Sequence, residues 1–470
     1  MEDSRRESRP GSSDAVSGQG HARPDVASAG GAVAGAEAGS QISRRTLLRA
    51  GLGSGAAALT GASLFGCSSG SPGASKGGKA TLHMWTWYTE DAKAFPQLIA
   101  EYEASHPKVS IVNRIIDFNS YTPALESAVS AGNVPDIFAP GVLGVTYGKA
   151  GIALELTQAF GKSFLSQFFE STNAEYSDGS KQYGVGWEAQ TFGIFYNPEL
   201  FKKAKIGIPE TWDDLIATVE PLKRQGLLCC SFNGTPSASV ADFFLPLITQ
   251  VTNNPELVIE LDRQTGSGKS WNIPPVVEAL AMVKKVFDAG VFNPGSLATQ
   301  TPQEEELFFT GKAAMNWEGS WMPADLVTTA PKSFLDTYDV FPNPAWSPGA
   351  RHWTPNQAGS GLSISAKSPY VAEAVDFVKW LFEPARYAKV MNETNSMPST
   401  KAAAPLVAHP IVKKMTSYLT DGDGCPHILM GVGSEDAAGN GAVSVIRGSA
   451  TPAQAAAQIQ AAVVQARQHV

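Results

Sequence analysis

The chain has 470 residues, 43% of them apolar and 17% charged, with 36 Lys plus Arg against 44 Asp plus Glu. The first 66 residues hold seven Arg, no Lys and six acids, which leaves 29 basic and 38 acidic side chains in the remainder. That acidic excess cannot neutralise phosphates, so a nucleic-acid partner is excluded, and about 400 residues are too many for one core, so two lobes are expected.

Residues 1–42 are rich in Gly, Ala and Ser and lack periodic apolar positions, so no fold is expected there. Ser43-Arg44-Arg45-Thr46-Leu47-Leu48-Arg49 precedes an uncharged run from Ala50 to Gly66. This is the pattern of a twin-arginine export signal, and the run is shorter than the roughly 20 residues that span a bilayer. Leu64-Phe65-Gly66-Cys67 resembles the bacterial lipobox, which makes Cys67 the expected lipidation site and the outer face of the cell membrane the expected location. Residues 1–66 are therefore read as signal and leader extension, and 67–79 as a flexible tether.

Thr81 to Trp87 is a short apolar strand, and Phe95, Leu98, Ile99 and Tyr102 have helical spacing after it. Val109 to Ile116 gives a second strand, Tyr121 to Ala131 a helix and Pro135 to Ala139 a third strand. Such alternation predicts an α/β fold with mostly parallel sheets covered by helices on both faces. From Tyr183 to Tyr196, bulky polar groups stand among Gly184, Gly186 and Gly193, which suits an extended hinge strand lining a cleft. Thr211 is placed to cap a helix with Asp213 and Asp214 in its first turn. Glu304 to Thr310 reads as a helix, Gly311 to Trp317 as a glycine stop and strand, Glu318 to Trp321 as a turn, and Val371 to Leu381 as a helix. Thr451-Pro452 opens a final one. Beyond Cys67 the cysteines are Cys229, Cys230 and Cys425, with no CxxC and no metal-ligand spacing, so neither a metal nor a cofactor is expected. A disulfide from Cys425 to one of the adjacent pair, or three unpaired thiols, both fit. Gly266-Ser267-Gly268-Lys269-Ser270 has Arg263 where a phosphate loop needs its first glycine, and it reads as a solvated loop.

Several segments carry a family resemblance in order: Trp85-Thr86-Trp87, Gly132 to Ile137, Ala150 to Leu156, Phe192 to Phe201, Ile208 to Leu215, Gly311 to Met315 with Gly319-Ser320-Trp321, and Gly361 to Ser365. Together they resemble the extracellular solute-binding proteins of bacterial ABC importers, in the branch that includes maltose-binding protein. The resemblance implies a two-lobe, class II periplasmic-binding-protein-like fold with its ligand cleft at the hinge. It places crossings near Trp187 to Thr191, Ala313 to Trp317 and Ala366 to Tyr370. The lobes would then be residues 80–187 with 317–367, and 188–316 with 368–470. The implied partners are a small solute, expected to be a saccharide, and ABC permease transmembrane subunits, with the chain acting as a monomer and without catalysis.

A sugar presents hydroxyl edges and apolar faces, so its site needs carboxylates or amides together with aromatic planes. By the resemblance, Glu188 matches a sugar-binding acid on the first crossing and Trp321 a stacking tryptophan. Trp187, Gln190, Ser320 and Gly359 join them as candidates. Trp87, Tyr88 and Glu90 follow the first strand's carboxyl end, where open α/β sheets bind ligands, and Asp136 is a further candidate at a strand end. The loop Ala139-Pro140-Gly141-Val142 lacks the aromatic and acid used by the maltose binder, which argues against maltodextrin. A polyol, polyamine or glycerophosphodiester is the alternative ligand. A glycoside-acting enzyme would need a second carboxylate near Glu188, such as Glu318 or Asp136, about 5 to 9.5 Å away, and no acid/base motif accompanies them.

Overall fold

The computed structural model describes residues 79–263, 270–420, 424–426 and 433–467. The export signal, Cys67 and most of the Gly266–Ser270 loop lie outside them. The strands are β1 (Ala80–Thr86), β2 (Val109–Ile115), β3 (Ile137–Phe138), β4 (Ser177–Asp178), β5 (Lys181–Gln182), β6 (Val185–Tyr196), β7 (Leu228–Ser231), β8 (Ala313–Gly319), β9 (Asp339–Phe341), β10 (Thr354–Ile364), β11 (Met397–Pro398) and β12 (Gly424–Pro426). Helices alternate with them, giving an α/β chain.

The main sheet runs β2-β1-β3-β10-β6-β8-β7, with β11 and β9 also on β6 and β12 on β10. Parallel pairs stand towards its two ends, where β1 joins β2 and β3, and β7 joins β8. In the middle, β10 and β6 run antiparallel to each other. The twelve-residue β6 is the element that passes between cores. Its Val185 and Trp187 belong to an apolar cluster with Leu82, Phe95 and Phe138, whereas Phe192 and Ile194 belong to a second cluster with Phe232, Phe243 and Trp317. The four residues between them, Glu188 to Thr191, span the gap. A strand can do this because its backbone bonds go sideways to neighbours, so it needs no local core of its own.

Two differences from the sequence reading follow from packing. Phe377, Val378, Tyr387 and Met391, assigned to the second lobe by a boundary at residue 368, pack in the first cluster, and only the stretch from Ala437 to Val463 joins the second. Likewise β8 puts Ala314, Met315 and Trp317 all in the second cluster, so it is a strand of that core, while β10 has Leu362 and Ile364 in the first cluster and is entered from His352, whose carbonyl accepts from Gln250 Nε2 at 2.8 Å on a helix of the second. Glu318 and Gly319, read as a turn, remain in β8 because they pair with Gly193 and Phe192. The third crossing thus lies at 354–364, a few residues before the expected position. A third cluster, including Phe195, Phe308, Leu326, Val340 and Met415, seals the far side of β6.

Local signals hold where they depend on neighbours in sequence. Thr211 Oγ1 accepts the Asp214 N–H at 3.2 Å and Asp214 accepts the Thr211 N–H at 3.0 Å, a reciprocal cap on the helix Trp212–Ala217. Thr451 and Gln454 make the same exchange at the start of Pro452–Arg467. Cys229, Cys230 and Cys425 are all buried and unpaired in disulfides.

Candidate functional site

The hinge constellation begins where β1 ends. Tyr88 is fully buried and its hydroxyl donates to the Gly361 carbonyl of β10, so it is a bolt between the strand ends. Trp87 is half-buried, edge-on to Tyr88 at 5.2 Å and to Tyr121 at 5.0 Å. Its outer ring edge faces Gly141, where an added Cβ would sit 3.6 Å from Cη2. Glu90 starts the 3-10 turn Glu90–Ala92.

On β6, Glu188 is 5% exposed and lies opposite both Gly359 and Ser360, because β10 bulges there. Pro398 of β11 faces it from the other side. The bulge places two residues against one and kinks the strand beside Glu188. Gln190 accepts from Gln357 Nε2 at 2.5 Å, and its side chain lies where a Cβ on Gly359 would be. With φ at +36°, position 359 therefore requires glycine twice over, for backbone and for space. Ser320 donates its N–H to Thr191 O at 2.9 Å, and its hydroxyl oxygen accepts the Thr191 N–H at 3.3 Å. Trp321 follows half-buried, with its ring edge-on to Phe192 at 5.1 Å and over Gly319.

The crossing thus gathers Tyr88, Glu188, Gln190, Ser320, Trp321 and Gly359. Two candidates fall elsewhere. Trp187 points into the first core, wholly buried, stacked on Phe95 at 5.3 Å and donating its indole N–H to Asp91 at 2.6 Å. Adjacent residues of a strand face opposite sides, so a cleft position for Glu188 sends Trp187 inward. Asp136 stands before β3, at the amino ends of the strands, and accepts from His83 N at 2.8 Å and Ser368 Oγ at 2.5 Å. Those bonds tie β1 to the segment after β10, which is a structural task on the side away from Trp87.

Further acids, most of them not singled out from sequence, add to the electrostatics around the crossing. Glu175 accepts the Ala358 N–H at 2.7 Å, one residue from Gly359, and burial with the Glu435 charge pushes its pKa up to about 8. Burial, with Asp436 and Asp262 adding, raises Glu435 to about 7, and burial likewise holds Asp242 well above the carboxylate range. Glu318 accepts from Asn233 Nδ2 at 3.1 Å and from its own Gly319 N–H at 2.9 Å. Glu304, Glu305 and Glu306 resemble a solvated helix face in sequence. The overlooked sign is that Glu304 lies four residues before Phe308, hence on the buried side. Among the described residues, no three His, Cys, Asp or Glu side chains are grouped to hold a metal ion.

The multiple sugar-binding protein of Streptococcus mutans is 24% identical over 327 residues, covering 69% of this chain and 76% of that protein. The melibiose/raffinose/stachyose-binding protein MelE of Bacillus subtilis is 23% identical, with 68% of this chain and 74% of that one covered. A solved chitin oligosaccharide binding protein superposes with a TM-score of 0.71 at 20% identity, covering 83% of this chain and 99% of that one, which shows the shared two-lobe α/β fold. The family model for bacterial extracellular solute-binding proteins matches residues 86–387, well over half of the sequence, and this chain belongs to that family.

Proposed function

We propose that the protein captures a saccharide between its two cores, outside the cytoplasm, and delivers it to the transmembrane subunits of an ABC permease. The observation that carries this reading is the crossing itself. A buried carboxylate at Glu188 and an amide at Gln190 offer hydrogen bonds for hydroxyl edges, and the half-buried rings of Trp321 and Trp87 offer planes for C–H faces. They stand where the long strands leave one core for the other, so a ligand held there would couple to closure of the lobes. The sugars named for the relatives above support the same ligand class. Attachment through a lipid on Cys67, monomeric action and the absence of turnover belong to the same proposal.

The second reading is a cationic solute such as a polyamine, for which the acids beside the crossing, Glu188 and the Glu175 that accepts the Ala358 N–H, would supply the counter-charge. A thermal-shift screen against mono-, di- and trisaccharides, polyols and polyamines separates the two. A ligand at 100 times its dissociation constant adds about 2.7 kcal/mol of stability. Stabilisation by a saccharide supports the first reading, stabilisation by polyamines alone replaces it, and hydrolysis of a bound sugar overturns the binding-only role.

A further inference from the structure

The paired strands β6 and β10 carry a second set of polar side chains on the face away from Gln190. Gln357 Nε2 donates to Gln190, and neighbours along a strand face opposite sides, so Asn356 turns to the other face. Thr191 stands directly across from Asn356, and Thr354 precedes it by two residues, so the three share that face. Both threonines are wholly buried and Asn356 is 5% exposed. Thr191 Oγ1, Thr354 Oγ1 and Asn356 Oδ1 have no hydrogen-bond partner among the described residues. Buried polar atoms are seldom left in this state, and three on one face point to a partner they share.

Asn356 is held in place from the side. β12 pairs with β10 there, and a Cβ added at Gly424 would sit 1.7 Å from Asn356 Nδ2, so the amide lies against the β12 backbone. It faces a cavity of about 460 Å³ that is walled also by Phe169, Glu170, Ser171, Lys401 and Leu419. Small-solute sites span about 300–1,000 Å³, whereas one bridging water takes about 30 Å³, so the space suits a solute. None of the residues gathered around Glu188 lines it.

The chemistry of the walls narrows the ligand class. Glu170 and Lys401 are both exposed and opposite in charge, and Lys401 Nζ already donates to the Ser166 carbonyl at 3.1 Å, so the walls favour no ion. Asn356 Oδ1 accepts and the Ser171 hydroxyl both donates and accepts, which matches solute hydroxyls that do both. Phe169 and Leu419 add apolar surface for C–H groups. We propose that this cavity is a second binding site, for a small neutral polyhydroxy solute of polyol or monosaccharide size, with Asn356 as its central contact and Ser171 at its rim. It shares no residue with the constellation around Glu188, so it stands or falls apart from the saccharide reading of that site.

The test uses the full-length protein with xylitol as the probe, followed by saturation-transfer difference NMR, which registers weakly held solutes. Wild type should transfer saturation to xylitol, and Trp321→Ala should do so to the same extent. Asn356→Leu removes the amide and Ser171→Phe fills the cavity from its rim, so each should lose the transfer. Should Asn356→Leu fail to fold, Ser171→Phe at its half-buried position still decides. Transfer that survives in Ser171→Phe, transfer that vanishes in Trp321→Ala, a wild type with none, or transfer to alanine in place of xylitol overturns the proposal.

Discussion

Glu188 and Trp187 are neighbours with opposite fates, and their substitutions should fail in different ways. Glu188→Gln preserves shape but removes the charge that strengthens bonds from hydroxyl donors, so affinity for the captured solute should fall by about 1.5–3 kcal/mol with the melting temperature little changed. Calorimetry reads this directly, and unchanged affinity removes Glu188 from the site. Trp321→Ala deletes a half-buried plane and should cost about 1–3 kcal/mol of affinity. Trp187→Ala, by contrast, empties a space shared with Phe95, Phe382 and Tyr387 and removes the indole N–H that Asp91 accepts. Its expected cost is about 3–5 kcal/mol of stability, seen in denaturant unfolding. Their roles could not be separated by residue type. Alternation along a strand makes one of two neighbours face inward, but which one depends on the core that forms behind it.

At the scale of elements, the helix Glu170–Ala174 is docked on β10 through Glu175, whose carboxyl holds the Ala358 N–H beside the bulge. Its pKa is raised from 4.5 to about 8, so the folded state binds a proton that the unfolded state has released. Stability from this group is complete below about pH 4.5 and is lost as pH rises towards 8. The melting temperature should therefore decline across that window, and Glu175→Gln, which keeps the accepting oxygen, should flatten the decline. An identical slope in the variant would exclude Glu175 as its source. The caps were readable from sequence because Thr211 and Asp214, or Thr451 and Gln454, meet across one turn. Glu175 was not, since its partner is 183 residues away.

For the whole molecule, two apolar cores are joined by β6 and β10, and the proposed role is that they close on a solute for delivery to a permease. Location belongs to this scale. The family works outside the cytoplasm, and the proposed lipid on Cys67 would keep the binding body beside its permease. Cys67→Ser should leave solute binding intact while moving the protein from the membrane fraction to the soluble one. Membrane association with continued fatty-acid labelling would refute the anchor.

What the sequence by itself determined is what short-range physics encodes: strand–helix alternation, helix caps, the glycine-rich course of β6 and the motif order of the solute-binding family. Only the tertiary structure decided that Trp187 is core and Trp321 half-open, that Asp136 ties strand ends away from the crossing, and that the apolar side chains from Ala374 to Met391 pack with the first core. The reason is chain separation. Gln190 meets Gln357 across 167 residues, and Asn233 meets Glu318 across 85. No periodicity in either segment specifies which strand will lie beside it. Those contacts exist once both cores bury their apolar faces, and the buried charges at the crossing take their properties from that burial.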